Sequence, residues 1–338
     1  MSLDLHRARD LVGAFPSRRI LVLGDVMLDR YIYGGVSRIS PEAPVPVVAV
    51  THEKSMPGGA SNTAWNIQAL GGRAAAAGVV GHDVAGAELR ALLAAGGVGL
   101  DSLLEAEGVR TTVKTRIIAE RQQVVRVDWD DVVEFPERLW RVFGDRLRRD
   151  TEQVSGVIIE DYGKGVVSQA AVDLVMAAAR DRKIPVGLDP KERQELNVRG
   201  ITVATPNRKE AFHLAGAPDS RPATHPLEDR PLLEVSEKLL EQWQAEMILV
   251  TLGPQGMLLR SRSGILHHVP TRAREVFDVS GAGDTVIAAC VLALAAGATP
   301  IEAAELANYA AGVVVGKLGT ATCSPEELLA YLGAAKNE

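Results

Sequence analysis

Short runs of β-branched residues alternate along this chain with longer segments of helical periodicity, and this alternation constrains the fold more than any other feature. It is typical of a mostly parallel sheet with helices on its faces, because parallel neighbours need a long crossover between them. The predicted core strands are 20–23, 75–80, 157–160, 186–189, 202–204 and 247–251. The predicted helices are 60–70, 84–95, 136–149, 168–181, 231–244, 282–296 and 301–317.

Two segments, 112–120 and 123–129, alternate with period two and predict an antiparallel hairpin with a turn at 121–122. The alternation places Lys114 and Arg116 on one face of the first segment. In the second segment Val125, Val127 and Trp129 share a face. With the Pro-rich run 32–50, this hairpin predicts a small sheet, about 31–52 and 110–130, that projects from a single domain covering 1–338. A projecting sheet has to cover or pair with something, since exposed strand edges are a liability.

Charge and hydropathy narrow the class of partner. A net charge of -6 and a pI of about 5.7 argue against a nucleic-acid or anionic membrane surface, which leaves a small molecule as the expected ligand. The longest apolar run, 286–298, is too short to span a bilayer and predicts a buried helix. Cys290 and Cys323 are far apart and predict buried free thiols, which fits a reducing cytoplasm.

The segment from Asp278 to Thr285 is the strongest chemical signal. Gly281 and Gly283 let the backbone approach a ligand and turn into the apolar helix that follows. The first turn of a helix offers unpaired N–H groups and a positive dipole end, which together suit a phosphate. Asp284 in that turn can accept the proton of an attacking hydroxyl during phosphoryl transfer. The alternative is that Asp284 only complements the helix dipole.

Two further segments carry polar residues at strand ends or helix starts. Asn207-Arg208-Lys209-Glu210 is a capping box by spacing, and it is also compatible with Asn207 and Glu210 organising water around Mg²⁺ and ATP phosphates. Asp25 and Asp29 follow the first strand, where they can accept hydrogen bonds from sugar hydroxyls or merely form turns.

Gly58, Gly59 and Asn62 precede a helix, and two interpretations of them are open. Paired glycines suit a backbone wrapped around a ligand, while Asn62 can serve only as a helix cap.

Taken in order, these segments resemble the ribokinase-like (PfkB) family of carbohydrate kinases over nearly the whole chain. Ser280 stands where the family commonly has Thr, which retains the hydroxyl. Within the family, the runs 24–31, 37–47, 161–165 and 311–320 resemble the kinases of D-glycero-β-D-manno-heptose 7-phosphate. The resemblance implies a three-layer αβα fold with a β-sheet lid. The resemblance stops short of a second, nucleotidyltransferase activity: neither His-x-x-His nor His-x-Gly-His occurs among the seven histidines, so a stand-alone kinase is expected.

The resemblance also implies roles for individual residues. Asp284 would be the base, with Gly281, Ala282 and Gly283 as the anion hole. The nucleotide and Mg²⁺, with Glu210 reached through water, would lie among Asn207, Arg208, Lys209, Glu210, Thr251, Gly253, Gly256 and Asn308. The sugar would be held by Asp25, Asp29, Gly58, Gly59 and Asn62. A monovalent cation is left open, and a homodimer through the lid is expected.

The expected reaction is transfer from ATP to the C1 hydroxyl of the heptose 7-phosphate, giving the 1,7-bisphosphate. A phosphorylated sugar needs local cations. Lys114, Arg116 and Arg126 are the candidates on the lid and Arg38 is another, although solvated strand residues are the alternative. Two rival functions are another sugar kinase of this family, acting on ribose, fructose or a hexose phosphate, and a non-catalytic sugar sensor on a kinase scaffold.

Overall fold

The computed structural model describes residues 3–120, 122–191, 196–273, 276–317 and 319–335. The strands are β1 Arg19–Gly24, β2 Val26–Ile39, β3 Pro46–Gly59, β4 Arg73–Gly81, β5 Gly99–Ala106, β6 Thr112–Ala119, β7 Gln122–Trp129, β8 Gly156–Glu160, β9 Val186–Asp189, β10 Val203–Ala204, β11 Met247–Thr251, β12 Met257–Ser261 and β13 Leu266–Val269. The helices are α1 Leu5–Ala14, α2 Ala60–Ala69, α3 Val84–Ala95, α4 Glu137–Thr151, α5 Gln169–Arg182, α6 Arg208–Leu214, α7 Arg230–Gln242, α8 Ala282–Ala295, α9 Pro300–Val315 and α10 Pro325–Ala335.

The main sheet has nine strands in the order β13-β12-β11-β10-β9-β8-β1-β4-β5. All neighbours from β11 to β5 pair in parallel, while β12 and β13 are antiparallel. Strand β1 is apolar from Ile20 to Leu23 because helices cover both faces of the sheet. Ile20 and Val22 belong to one buried apolar cluster, with residues of α2, α8 and α9, and Leu21 and Leu23 belong to a second, with residues of α4, α5 and α7. This confirms the predicted three-layer αβα architecture.

The second sheet has four strands in the order β3-β2-β6-β7 and is called the lid sheet here. Strand β2 begins at Val26, two residues after β1 ends, so the lid sheet leaves the main sheet at the carboxyl ends of its strands. Its inner strands pair in register, with Asp29 opposite Lys114 in β2 and β6. The first two strands reach back to 26 and forward to 59, beyond the segment 31–52 that was predicted.

The six predicted strands and seven predicted helices are all present, with ends within two residues of the prediction. The apolar run is confirmed as part of buried helix α8, and Cys290 and Cys323 are buried free thiols. Among the described residues, no helix combines the length and apolar composition that crossing a membrane requires. The predicted turn at 121–122 falls partly on Arg121, which lies outside the described residues; Gln122 already belongs to β7.

Candidate active site

A cavity of about 310 Å³ opens where the carboxyl ends of the central strands meet the lid sheet. At this edge of a parallel α/β sheet the connecting loops leave room for ligands. Its wall draws on the strand ends, the lid sheet and the first turns of α6 and α8. The chemically relevant lining residues are Asp29, Lys114, Arg116, Tyr162, Asp189, Lys191, Asn207, Glu210, Thr251, Gly281, Gly283 and Asp284.

The start of α8 is shaped by Gly281, which adopts φ +77°, a conformation that other L-residues rarely take. A Cβ at this position would lie 2.7 Å from Nδ2 of Asn62. Because Gly281, Gly283 and Asp284 all line the cavity, the positive end of the α8 dipole lies at its wall. This is the arrangement that the sequence predicted for an anion.

Asp284 is buried and held by two side-chain donors. Its Oδ2 accepts a hydrogen bond of 2.6 Å from Nδ2 of Asn62, and its Oδ1 accepts one of 2.9 Å from the hydroxyl of Tyr162. Burial raises the pKa of Asp284 above its usual value, and the two donors oppose that rise by stabilising the charged form. The carboxylate is therefore oriented and made more basic, both of which favour a general base.

A group of buried carboxylates surrounds this base. Glu160, Asp189 and Asp284 each have a carboxylate oxygen within 4.8 Å of the others. One oxygen of Glu160 accepts from Oγ1 of Thr63 at 2.6 Å, and its other oxygen has no hydrogen-bond partner among the residues that the structure describes. Burial, followed by repulsion from Asp189 and Asp284, holds the pKa of Glu160 well above its usual value. The acidic charge makes this end of the cavity receptive to a cation.

Lys191 is the cation that faces these carboxylates. Its Nζ lies 3.5 Å from Oδ2 of Asp189, 3.4 Å from Oε1 of Glu210 and 4.6 Å from the centre of the Tyr162 ring. Burial alone would lower the pKa of Lys191, but Asp189 and Glu210 outweigh it, so the pKa is raised and the ammonium stays charged.

The lid sheet brings two further cations to the cavity. Arg116 donates from Nη1 to Oδ1 of Asp29 at 2.7 Å, and its guanidinium lies over the Tyr31 ring at 5.3 Å. The Nζ of Lys114 is 5.6 Å from the centre of the Tyr162 ring. The prediction that Lys114 and Arg116 share a face is confirmed, since both line the cavity.

Two of the predicted sugar ligands, Asp25 and Asn62, are bound by other parts of the protein. Asp25 is buried, and its carboxylate accepts from the backbone N–H groups of Tyr162, Lys164 and Val166, so it holds the loop after β8 and does not line the cavity. The side-chain amide of Asn62 donates its hydrogen bond to the carboxylate of Asp284, and Asn62 does not line the cavity.

The remaining predicted sugar-side residues are two glycines at the end of β3. Gly58 packs beneath Asp29, where a Cβ would lie 2.7 Å from Oδ2 of that residue. Gly59 lines the cavity itself, with φ +54°.

A second cavity of about 330 Å³ adjoins the first, and Thr251 and Gly283 line both. Its wall is mainly apolar and includes Val279, Val286, Ala311 and Val315. The predicted nucleotide residues Thr251, Gly253, Gly256 and Asn308 all line it, together with Ala282. A narrow apolar cleft next to a helix start suits a base and sugar whose phosphates reach the N–H groups of α8.

The start of α6 serves as a helix cap and as a cavity wall at once. The side chain of Asn207 accepts from the N–H of Glu210 at 3.0 Å, and Oε2 of Glu210 accepts from the N–H of Asn207 at 2.8 Å. Both residues line the main cavity. Arg208 points away, to ion pairs with Asp229 at 2.9 Å and Asp219 at 3.0 Å, and Lys209 is exposed outside both cavities. Both side chains therefore lie outside the two cavities, and their contact with the nucleotide stays a prediction.

The family model of the "pfkB family carbohydrate kinase" matches residues 17–327. The chain belongs to this family. It is 43% identical over 318 residues to "Bifunctional protein HldE" of Geobacter sulfurreducens, covering 94% of this chain and 64% of that protein. It is 44% identical over 322 residues to the protein of the same name from Caulobacter sp. strain K31, with the same coverage of both. The chain thus spans a little under two thirds of the length of these relatives.

Solved structures of the family share the fold. A ribokinase of Arabidopsis thaliana complexed with ribose and ATP superposes with a TM-score of 0.70 at 19% identity, covering 93% of this chain and 98% of that one. Phosphofructokinase-2 of Escherichia coli, in complex with substrates and products, gives 0.75 at 21% identity, covering 94% and 99%. At these identities the likeness establishes the ribokinase-like fold.

The sequence patterns did not single out two residues that line the main cavity, Tyr162 and Lys191. Each lies two residues beyond the last residue of a buried central strand, Glu160 of β8 and Asp189 of β9. Because parallel strand ends converge at one edge, the position after each strand was the signal that could have found them.

Proposed function

We propose that this protein transfers the γ-phosphoryl group of ATP to a sugar hydroxyl, and that the sugar is D-glycero-β-D-manno-heptose 7-phosphate, phosphorylated at C1. The observation that carries the proposal is the position of Asp284, a buried and doubly hydrogen-bonded carboxylate beside the junction of a polar and an apolar cavity. The polar cavity suits the sugar and the apolar one the nucleotide.

In the proposed reaction, the sugar hydroxyl gives its proton to Asp284 as its oxygen forms a bond to the γ-phosphorus. The bond from that phosphorus to the β–γ bridging oxygen breaks, and its electron pair leaves with ADP. Asn62 and Tyr162 hold the carboxylate in place without competing as bases. Gly281, Ala282 and Gly283 would direct N–H groups at the transferring group, whose charge is spread over three oxygens.

Magnesium fits the oxygen-rich wall next to the α6 start. Mg²⁺ prefers oxygen ligands and retains several waters, and the amide of the exposed Asn207 and the carboxylate of Glu210 offer such contacts. These two residues would hold Mg²⁺ through water, and the ion would neutralise charge on the ATP phosphates. Asp189 and Asp284, which line the same cavity and cluster with the buried Glu160, add negative charge that supports a cation requirement.

The sugar phosphate is assigned to the lid cations. Lys114 and Arg116 lie at the lid end of the cavity, and Arg116 has the planar donor geometry that binds phosphate in a bidentate manner. The choice of heptose rests on the resemblance of four sequence runs to heptose 7-phosphate kinases and on relatives named HldE.

A homodimer through the lid sheet is part of the proposal. Val125, Val127 and Trp129 lie on one face of β7, and their side chains are about two fifths exposed, at 44%, 39% and 42%. Clustered apolar exposure of this kind marks an interaction surface. The opposite face of the same sheet carries Lys114 and Arg116 toward the cavity.

The test measures sugar-dependent ADP release and compares kcat/KM for heptose 7-phosphate, fructose 6-phosphate, fructose and ribose. We expect heptose 7-phosphate to be the best substrate. A higher value for an unphosphorylated sugar would overturn the heptose assignment, and no sugar-dependent ADP release from any of the four would overturn the kinase assignment.

A further inference from the structure

We propose that Lys191 is a catalytic residue that binds the transferring phosphoryl group, an inference that rests on the proposed phosphoryl transfer. Lys191 follows β9 by two residues and lines the main cavity with Asp284 and Glu210. Among the described lining residues, the other two basic side chains belong to the lid sheet. On the wall formed by the main sheet, Lys191 is the basic side chain that faces the site.

The contacts of the Lys191 ammonium leave it able to bind a further anion. Charge-assisted N–H to O bonds are usually about 2.7–2.9 Å long. The distances from Nζ to Asp189 and Glu210 are 3.5 and 3.4 Å, so both carboxylates hold the ammonium loosely. An ammonium has three donors. A phosphoryl oxygen that enters the cavity would therefore meet a charged, positioned donor.

The position of Lys191 along the cavity matches the charge that develops during transfer. The Lys191 ammonium contacts Tyr162, whose hydroxyl binds the base Asp284, and also Glu210, which we propose reaches Mg²⁺ and the ATP phosphates through water. A phosphoryl group moving from ATP to the sugar hydroxyl at Asp284 would therefore pass close to Lys191. The positive end of α8 lines the same cavity, so two sources of positive charge would stabilise the group.

The rival role for Lys191 is structural, as a counter-ion that offsets the buried carboxylates. The two roles predict different outcomes when Asp189 is neutralised together with Lys191. If Lys191 only balances Asp189, Lys191→Met combined with Asp189→Asn should restore the activity that the single Lys191→Met loses. If Lys191 binds the phosphoryl group, the double variant should stay slow.

The matched control is Lys317→Met. Lys317 is 35% exposed against 34% for Lys191, and it is likewise ion-paired, with Glu327 at 2.6 Å. It lines neither of the two cavities.

The experiment measures kcat and the KM for ATP, with whichever panel sugar the wild type phosphorylates best, for the single, double and control variants. We expect Lys191→Met to lower kcat by roughly 10²–10³, as loss of one transition-state donor does, with a much smaller change in KM. Lys317→Met should match the wild type. A kcat for Lys191→Met within about twofold of the wild type, or its recovery in the double variant, would overturn the inference.

A binding measurement separates this inference from the proposed function. Magnesium, ADP and fluoroaluminate together mimic the transferring phosphoryl group, so calorimetry can compare that mixture with magnesium and ADP alone without any sugar turnover. We expect the fluoroaluminate enhancement to be lost in Lys191→Met and Lys191→Ala, while ADP binding persists. An enhancement equal to that of the wild type would refute the role of Lys191. Absence of sugar phosphorylation by the wild type would refute only the proposed function.

Discussion

Replacing Tyr162 by Phe should move the acidic limb of the pH–kcat profile to higher pH. The change removes the hydroxyl that donates to Oδ1 of Asp284 at 2.9 Å and keeps the ring under Lys191. That hydrogen bond stabilises the charged carboxylate, and burial already raises the pKa of Asp284, so losing the donor raises this pKa further.

The magnitude follows from the worth of a hydrogen bond to a charged group, about 1.5–3 kcal/mol. Since one pKa unit corresponds to about 1.4 kcal/mol, the expected upward shift is about one to two units. A base must be deprotonated to act, so Tyr162→Phe should lose activity chiefly at low pH and recover part of it as the pH rises.

The assay is ADP release at saturating substrates across the pH range, with unfolding midpoints measured alongside. Tyr331→Phe is the matched control, because it removes a hydroxyl that donates to the carbonyl of Arg272 at 2.5 Å, away from Asp284. The control should keep the wild-type profile. An unshifted acidic limb in a folded Tyr162→Phe protein would refute the assignment of Asp284 as a base tuned by this contact.

Three further outcomes are expected. Arg116→Lys should raise the KM of the sugar phosphate by roughly tenfold or more, because an ammonium cannot reproduce the bidentate contact, and an unchanged KM would remove Arg116 from the phosphate site. Val125→Glu with Val127→Glu should lower the sedimentation mass to that of a monomer; an unchanged mass and activity would contradict the lid dimer. Gly281→Ala should lower the unfolding free energy by about 1 kcal/mol or more and slow turnover, because the residue has φ +77° and its Cβ would lie 2.7 Å from Nδ2 of Asn62. Denaturant unfolding and kcat measurements check this prediction, and wild-type values for both would contradict it.

The strands and helices that the sequence predicted are those whose pattern of apolar residues can be recognised within the element itself. Strand β1 is apolar at every core position because both of its faces are buried, and α8 is apolar on all sides from Val286 onward for the same reason. Strand β5 escaped prediction because it is an edge strand in which Asp101 and Glu105 interrupt the apolar run. Strands β12 and β13 and helices α1 and α10 were missed as well.

The same distinction applies to the site. Asp284 and the glycines before it were predictable because glycine, helix start and acid are adjacent in sequence. The roles of Asp25 and Lys191 depend on segments distant in sequence, since Asp25 binds a loop more than 130 residues away and Lys191 faces Glu210. Arg208 was expected beside the nucleotide, and its ion pairs with Asp219 and Asp229, which follow α6 in the chain, have no signature in the local sequence pattern.

The most direct test of the account is Asp284→Asn, assayed for turnover and for binding of ATP and sugar. The amide can still accept a hydrogen bond from Tyr162 but cannot take a proton from the sugar hydroxyl. We predict that kcat falls by roughly 10²–10⁴, the usual worth of a positioned general base, while calorimetry shows both ligands still bound. Turnover equal to that of the wild type in a folded Asp284→Asn protein would contradict the mechanism.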